Sequence, residues 1–385
     1  MSLITATKDL KTFCTSLKKA EFITVDTEFI RERTFWARLC LIQVAGPDGA
    51  FAIDPLAEGI DLAPLYDLFQ DKKILKVFHA CRQDLEIFFK EMNGKLPAPV
   101  FDTQIAAMVC GFGEQVSYEV LVNSLLKKQL DKSSRFTDWA QRPLTAKQMK
   151  YALSDVTYLR TIYEKLIAKI EKQKRGSWIK DEFKNLTDKE NYIFRPEDAW
   201  ERIKVPTHKP RVLGVLKEIA AWREQTAQNA DVPRGRILRD ETLTEIALHM
   251  PATKEALGKM RGMQHGFAES EKGQQLLEAV KRGLALDEKD LPQRAPRPHL
   301  PPGLSPAIDL LRVLLKLKCE ESRVASKLLA NASDLELIAA YGDKAEVAAL
   351  SGWRLKVFGK AALELRDGKL ALAIENNQLK LVKAL

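Results

Sequence analysis

The 385-residue sequence has no paired cysteines: Cys14, Cys40, Cys81, Cys110 and Cys319 are odd in number, scattered, and never spaced Cys-x-x-Cys. That pattern excludes a disulfide frame and a cysteine-based zinc site, and it fits free thiols in a reducing cytosol. Long apolar runs are missing too. None approaches the ~20 residues of a membrane-spanning helix, and the N-terminus lacks a secretory apolar core. A cytoplasmic protein without membrane contact is expected. Neither sign of charge dominates: 61 Lys and Arg against 52 Asp and Glu leave +9, a mild excess that favours a polyanionic partner. The apolar share of 45% and charged share of 29% are ordinary for a folded chain, long enough here for two or three cores.

The chain is organised around 22–29, Phe-Ile-Thr-Val-Asp-Thr-Glu-Phe. Its β-branched and aromatic residues predict a strand, and alternation puts Asp26 and Glu28 on one face, about 7 Å apart. Two neighbouring carboxylates on a core strand repel each other and resist desolvation. A divalent cation compensates for both effects; a frayed strand end in water is the alternative.

Residues 7–19 precede this strand as a helix, and 39–45 and 50–53 follow as strands joined by the turn Gly46-Pro47-Asp48-Gly49. Next come a helix at 62–70, a strand at 73–78 and a helix bearing Leu85, Phe88, Phe89 and Met92 at helical spacing. A short strand at 100–103 leads into another helix, so a mixed sheet with helices on both faces is expected. From 127 to 150 the chain turns basic, with Lys127, Lys128, Lys132, Arg135, Arg142, Lys147 and Lys150 against Asp131 and Asp138, and with Phe136 and Trp139 interleaved. A solvated loop and a phosphate contact with aromatic stacking both fit that composition. A long helix is predicted from about Thr145 to Lys172.

Beyond it, 173–207 is polar and reads as a linker, 208–290 as a helical domain, and 291–303, with its prolines, as an extended spacer. Residues 304–385 read as helical again. Leu243, Ile246 and Ala247 recur as Leu335, Ile338 and Ala339, and Leu257 and Arg261 recur as Leu350 and Arg354, the mark of a diverged repeat. Neither helical segment holds a catalytic constellation.

The chemistry is carried by 1–172. Asp84 sits early in a helix that follows a strand, where the positive helix end suits a carboxylate. Tyr151 and Asp155, at i and i+4, share one helix face. Taken singly, each is matched by a bland reading: a helix-starting Asp, and a tyrosine beside a surface carboxylate. His79 reads as a core or turn histidine, Glu86 as an exposed helix residue, and Asp102 either as a cap or as a carboxylate supporting the metal ligands from behind.

In order, however, Asp26-x-Glu28, Asp84 after a strand, and Tyr151-x-x-x-Asp155 on a later helix resemble the DEDD exonucleases of the ribonuclease-H-like fold, in the subclass with tyrosine in the third motif. The likeness covers roughly 1–170 and is closest to the ribonuclease D group. It is carried by Asp-Thr-Glu-Phe at 26–29, Leu-Cys-Leu-Ile-Gln at 39–43, Trp139 with Arg142-Pro143-Leu144, and Tyr-Ala-Leu-Ser-Asp-Val at 151–156. Residues 210–286 resemble an HRDC domain, a helical nucleic-acid-binding module, and 304–385 a second, more diverged copy. The fold this implies is an α/β ribonuclease-H-like exonuclease domain followed by two all-α HRDC-type domains.

The resemblance further implies 3′→5′ removal of 5′-mononucleotides from RNA, with tRNA precursors and other small structured RNAs as substrates and no obligatory protein partner. It assigns two cations, Mg²⁺ or Mn²⁺, to Asp26, Glu28, Asp84 and Asp155, and water orientation to Tyr151. Lys127, Lys128, Arg135, Phe136, Trp139, Arg142 and Arg261 are the expected RNA contacts. A DNA exonuclease of the same superfamily and a non-catalytic RNA-binding scaffold are the competing readings. Every expected ligand precedes Tyr158, so a chain cut after about 172–207 is expected to fold and keep the site.

Overall fold

A six-stranded sheet in the order β1-β4-β3-β2-β5-β6 underlies the site. Its strands are β1 (Leu3–Ile4), β2 (Phe22–Ile30), β3 (Arg38–Gly46), β4 (Gly49–Ile53), β5 (Leu75–Phe78) and β6 (Val100–Asp102). The computed structural model describes residues 2–131, 133–135, 137–294 and 300–384. β3 and β4 run antiparallel around the Gly46–Gly49 turn, whereas β2, β5 and β6 are parallel neighbours, so the sheet is mixed as expected. Helices alternate with these strands: α1 (Thr7–Leu17), α2 (Ala63–Gln70), α3 (Arg82–Glu91), α4 (Thr103–Val109), α5 (Tyr118–Leu121) and α6 (Ala146–Lys172).

Local chemistry sets where the functional segments begin. Thr145 and Gln148 form a reciprocal capping box at the start of α6: the Gln148 amide donates to Thr145 Oγ1 at 3.2 Å and the Thr145 amide donates to Gln148 Oε1 at 3.0 Å. That fixes the helical register of Tyr151 and Asp155. Asp102 has the capping role expected of it, and more. It accepts from Gln104 N at 2.7 Å to start α4, and from Ala80 N and Cys81 N at 3.0 and 2.9 Å. Ala80 lies at φ 57°, a left-handed conformation that costs an alanine roughly 1–2 kcal/mol. The two hydrogen bonds from the turn hold the chain there and aim α3, with Asp84, back across the sheet.

The described chain divides into two compact units. One comprises 1–28, 40–188 and 297–385; the other comprises 29–39 and 189–296. In the second, helices Pro210–Asn229, Arg234–Ile237, Asp240–His249 and Glu271–Ala285 bury Leu213, Leu216, Ile219, Leu243, Ile246 and Leu276 in one core.

Three expectations need correction. Residues 173–207 are not an irregular linker: they form the short helices Gly176–Trp178, Lys180–Leu186, Lys189–Tyr192 and Pro196–Arg202, with Ile179, Tyr192, Trp200 and Ile203 buried. The polar residues of this stretch are its solvent face, and they outnumber the few apolar anchors beneath.

The segment 304–385 is neither all-α nor separate from the nuclease domain. Leu311, Leu314, Leu328, Ile338 and Phe358 join Phe101, Val109, Leu121, Leu159 and Ile162 in a single core. Arg354 ties the two parts by ion pairs to Asp181 and Glu182 at 3.1 and 3.2 Å, and the Trp178 and Trp353 rings stack with centroids 4.1 Å apart.

The chain ends in a hairpin, β7 (Leu370–Glu375) and β8 (Gln378–Lys383), turning at Asn376 and Asn377 with φ 51° and 61°. Asparagine tolerates positive φ, and the run after it, Gln-Leu-Lys-Leu-Val-Lys, alternates polar and apolar, so a two-residue turn is what this stretch favours. Of the proline-rich spacer 291–303, residues 295–299 lie outside the described residues. No helix among the described residues is long and apolar enough to cross a membrane.

Candidate active site

Asp26, Glu28 and Asp155 each offer a carboxylate oxygen, and these oxygens lie within 4.8 Å of one another. Alternation along β2 supplies the first two and the third turn of α6 supplies the third. Asp84 approaches from α3 and accepts a hydrogen bond from Thr27 Oγ1, so the residue between the two motif carboxylates fixes the fourth acid from the other face of β2. The Tyr151 hydroxyl hydrogen-bonds the Asp155 carboxylate.

Gathering four buried acids is electrostatically costly, and it favours the protonated form of each. Burial, then the charges of Asp84, Asp155 and Glu28, holds the Asp26 carboxyl well above the usual carboxylate range. Burial and the same neighbours push Glu28 up to about 9. Burial raises Asp155 to about 7 against the opposing effects of Tyr151 and Arg135. Asp84 rises to about 6, burial outweighing its hydrogen bond from Thr27. A compact, all-oxygen, acceptor-rich set that holds protons for want of positive charge fits a hard divalent cation.

Each of these carboxyls binds its proton more tightly in the folded chain than in the unfolded one, where Asp and Glu titrate near 4. Between about pH 4 and 9 the metal-free folded state therefore holds protons that the unfolded state has released, and stability falls as pH rises through that window. Melting in EDTA should give a lower Tm at pH 8 than at pH 5, and Mn²⁺ should raise Tm more at pH 8. The opposite slope would exclude the acid cluster as its origin.

A cavity of about 500 Å³ opens over the acids, lined by Asp26, Tyr151 and Asp155 on one side and by His79, Gln104 and Tyr118 on another. Arg135 also lines it and lies close enough to Glu28 and Asp155 to favour their charged forms. Burial lowers the titration of His79, whose Nδ1 is 3.0 Å from Thr103 Oγ1, a satisfied turn histidine as expected. Glu86 is half-buried, not exposed.

The expected RNA contacts divide. Lys127 and Lys128 are exposed, the latter with Nζ 4.7 Å from the Tyr158 ring centroid, and Arg261 is exposed in the second unit. Phe136, like Lys132, lies outside the described residues. Trp139 is only 3% exposed, its ring centroid 6.1 Å from that of Tyr151, so it supports the site from within and offers no face to a base. Arg142 is a clamp: its guanidinium pairs with both Asp54 oxygens at 2.6 and 2.7 Å and donates to the carbonyls of Cys40 and Trp139. Composition alone does not separate such a clamp from a phosphate ligand, because its acid partner is distant in sequence. Thr27 escaped the sequence reading as well. The signal for it was its position on the strand face opposite Asp26.

Comparison with known proteins bears on this arrangement directly. A family profile described as 3′-5′ exonuclease matches residues 1–171, and an HRDC domain profile matches 212–280. The chain is 47% identical to ribonuclease D of Nitrobacter hamburgensis, with 98% of each chain covered, and 48% identical to ribonuclease D of Jannaschia sp., with 99% of each covered. It belongs to the ribonuclease D family. Its structure superposes on Escherichia coli RNase D with a TM-score of 0.79 at 31% identity, covering 94% of this chain and 98% of that one. That protein is described as an exoribonuclease involved in structured RNA processing. Membership of the ribonuclease D family brings with it the 3′→5′ exoribonuclease activity that the motif order implied, and RNA as substrate.

Proposed function

We propose that the chain shortens small structured RNAs, tRNA precursors among them, one nucleotide at a time from the 3′ end. In this reading hydrolysis is assisted by two divalent cations, Mg²⁺ or Mn²⁺, at the Asp26, Glu28, Asp84 and Asp155 cluster. The convergence of three carboxylate oxygens within 4.8 Å, at the floor of an open cavity, is the observation that carries it. Asp26 lies between the other acids and would serve both ions; Glu28 and Asp155 would hold one, and Asp84 the other. Bound there, such ions supply a hydroxide near neutral pH and positive charge for the departing oxygen.

The rest is done by the protein. Burial and the surrounding acids raise the Tyr151 phenol above its ordinary value near 10, so it stays protonated and orients the attacking water without acting as a base. Arg135, beside the acids, meets the phosphate that enters. Lys127, Lys128 and the exposed Arg261 contact the backbone further along the RNA. The five free cysteines fit work in the cytoplasm.

The segment after 304 serves as a diverged HRDC copy built into the nuclease core. Its helices of 18, 4 and 10 residues repeat the 20, 4 and 10 of the segment starting at 210.

End-labelled single-stranded RNA and matched DNA, incubated with Mg²⁺, Mn²⁺ or EDTA and sized over time, test the chemistry. RNA should shorten stepwise with metal and stay intact in EDTA, and release of 3′ fragments longer than one nucleotide would overturn the exonuclease reading. A tRNA with a 3′ extension should stop shortening near its mature end; uniform digestion through the stem would exclude a maturation role.

Tyr151→Phe should lower kcat about 10–100-fold, the range for a group that acts through a ligand, while KM stays within twofold. If KM rises in step with the rate loss, the hydroxyl is contributing uniform binding instead.

A further inference from the structure

Tyr118, at the start of α5, reaches the backbone of α6 at the turn that carries Asp155. Its hydroxyl donates to the Asp155 carbonyl oxygen at 2.5 Å and lies 3.1 Å from the Ser154 carbonyl oxygen. The Asp155 carbonyl lies within the unbroken helix α6, where the Leu159 amide is its helical partner, so the phenol is a second donor to the same oxygen. The hydroxyl is spent on α6, which leaves the ring to line the cavity over the acids.

The element holding Tyr118 is itself firmly placed. Ser117 caps α5 by accepting from Val120 N, and the His79 ring lies 5.6 Å from the Tyr118 ring, fixed in turn by Thr103. A path of direct contacts thus runs from the β5–α3 turn, which also leads to Asp84, through His79 and Tyr118 to the backbone of Asp155. None of the three sequence motifs contains Tyr118.

We propose that Tyr118 is a positioning residue for the metal-binding site: by bonding the Asp155 carbonyl oxygen it tethers that residue's backbone and sets where its carboxylate points. The proposal rests on the assignment of Asp155 as a cation ligand. Removing the hydroxyl releases the Asp155 backbone from that tether and lets the carboxylate turn away from Asp26 and Glu28. The expected losses are in cation affinity and turnover, with RNA capture spared.

The test uses the full-length chain and reads Mn²⁺ binding directly, by the electron paramagnetic resonance of free Mn²⁺, beside kinetics on a short single-stranded RNA. In Tyr118→Phe, Mn²⁺ affinity should fall about tenfold, the lower end for groups that orient metal ligands. The kcat should fall in parallel, KM should change less than twofold, and more Mn²⁺ should restore part of the rate. Unchanged Mn²⁺ affinity in a folded variant overturns the proposal, whatever happens to Tm. A raised KM with unchanged kcat also overturns it and makes the ring a substrate contact.

Should Tyr118→Phe fail to fold, 3,5-difluorotyrosine at 118 keeps shape and hydroxyl while altering hydrogen-bond strength. A shift in Mn²⁺ affinity supports positioning, and identity with wild type overturns it. Asp155→Asn is the control that separates the two levels. If it binds Mn²⁺ as wild type does, the ligand assignment fails, and the proposal with it. If it loses Mn²⁺ and Tyr118→Phe does not, only the positioning role fails.

Discussion

Replacing Asp26 by asparagine is expected to reduce hydrolysis about a thousandfold, corresponding to the several kcal/mol that bound cations contribute to a phosphoryl-transfer transition state. The expectation follows from its place among the acids. Burial and the charges of Asp84, Asp155 and Glu28 all act on the Asp26 carboxyl, which places it in contact with the whole cluster. In the proposed two-cation arrangement, loss of its charge weakens binding of both ions, where loss of Glu28 or Asp84 affects one. Asparagine is nearly isosteric, and removing one of several repelling acids relieves the metal-free fold. The variant should accordingly melt in EDTA no lower than wild type at pH 8, while its Tm gain on adding Mn²⁺ shrinks. Rate, Mn²⁺-dependent Tm and circular dichroism are measured together. A folded variant that hydrolyses RNA within tenfold of wild type would remove Asp26 from the cation site.

The second large effect concerns the C-terminal segment, where the structure reverses the sequence-based expectation. A chain cut after 172–207 keeps every acid of the site yet loses Leu311, Leu314, Leu328, Ile338 and Phe358 from the core that also holds Phe101, Val109, Leu121 and Leu159. Backbone ties go as well: Ala325 N to Met108 O at 3.0 Å, and Arg175 Nη2 to Ser322 O at 2.7 Å. At Gly111, a Cβ would stand 2.9 Å from the carbonyl oxygen of Arg323, so the two backbones are in close approach.

Each large apolar side chain left uncovered forfeits roughly 1.5–3 kcal/mol, and a handful of them equals a whole domain's net stability of about 5–15 kcal/mol. Deleting 300–385 should therefore yield an insoluble chain, or one without a cooperative melt and without RNA hydrolysis. A soluble truncation melting within about 5 °C of the full chain would show that the nuclease sheet needs no help from this segment.

What could be read from the sequence, and what could not, divides along physical lines. Period-two alternation put Asp26 and Glu28 together, helical spacing paired Tyr151 with Asp155, and turn chemistry at Gly46–Gly49 gave the β3–β4 hairpin. Each of these depends on residues within a few positions of one another. Asp102 was legible as a cap for the same reason, since its partner Gln104 lies two residues on, whereas its bonds to Ala80 and Cys81 on the neighbouring strand end were not.

What escaped depends on partners far along the chain. Arg142 looks like a phosphate ligand until Asp54 is found beside it, Trp139 like a stacking platform until its burial is seen, and Tyr118 like any core tyrosine until α6 passes its hydroxyl. Periodicity in 304–366 announces an apolar face without saying what covers it. The Asn376-Asn377 hairpin was different: its signal was local, and the helical periodicity before it was carried too far.

The split of the nuclease unit among 1–28, 40–188 and 297–385 has a consequence for how the protein is made. On a ribosome, the four acids and Tyr151 emerge early, but the core that steadies α4 and α6 stays open until Phe358 has left the exit tunnel. At ~5–20 residues per second that interval lasts on the order of ten seconds or more, during which the intervening helical unit can fold alone. A nascent chain thus gains its nuclease only after residues 297–385 have been made. Fragments from interrupted translation carry the acids without the scaffold that aligns them.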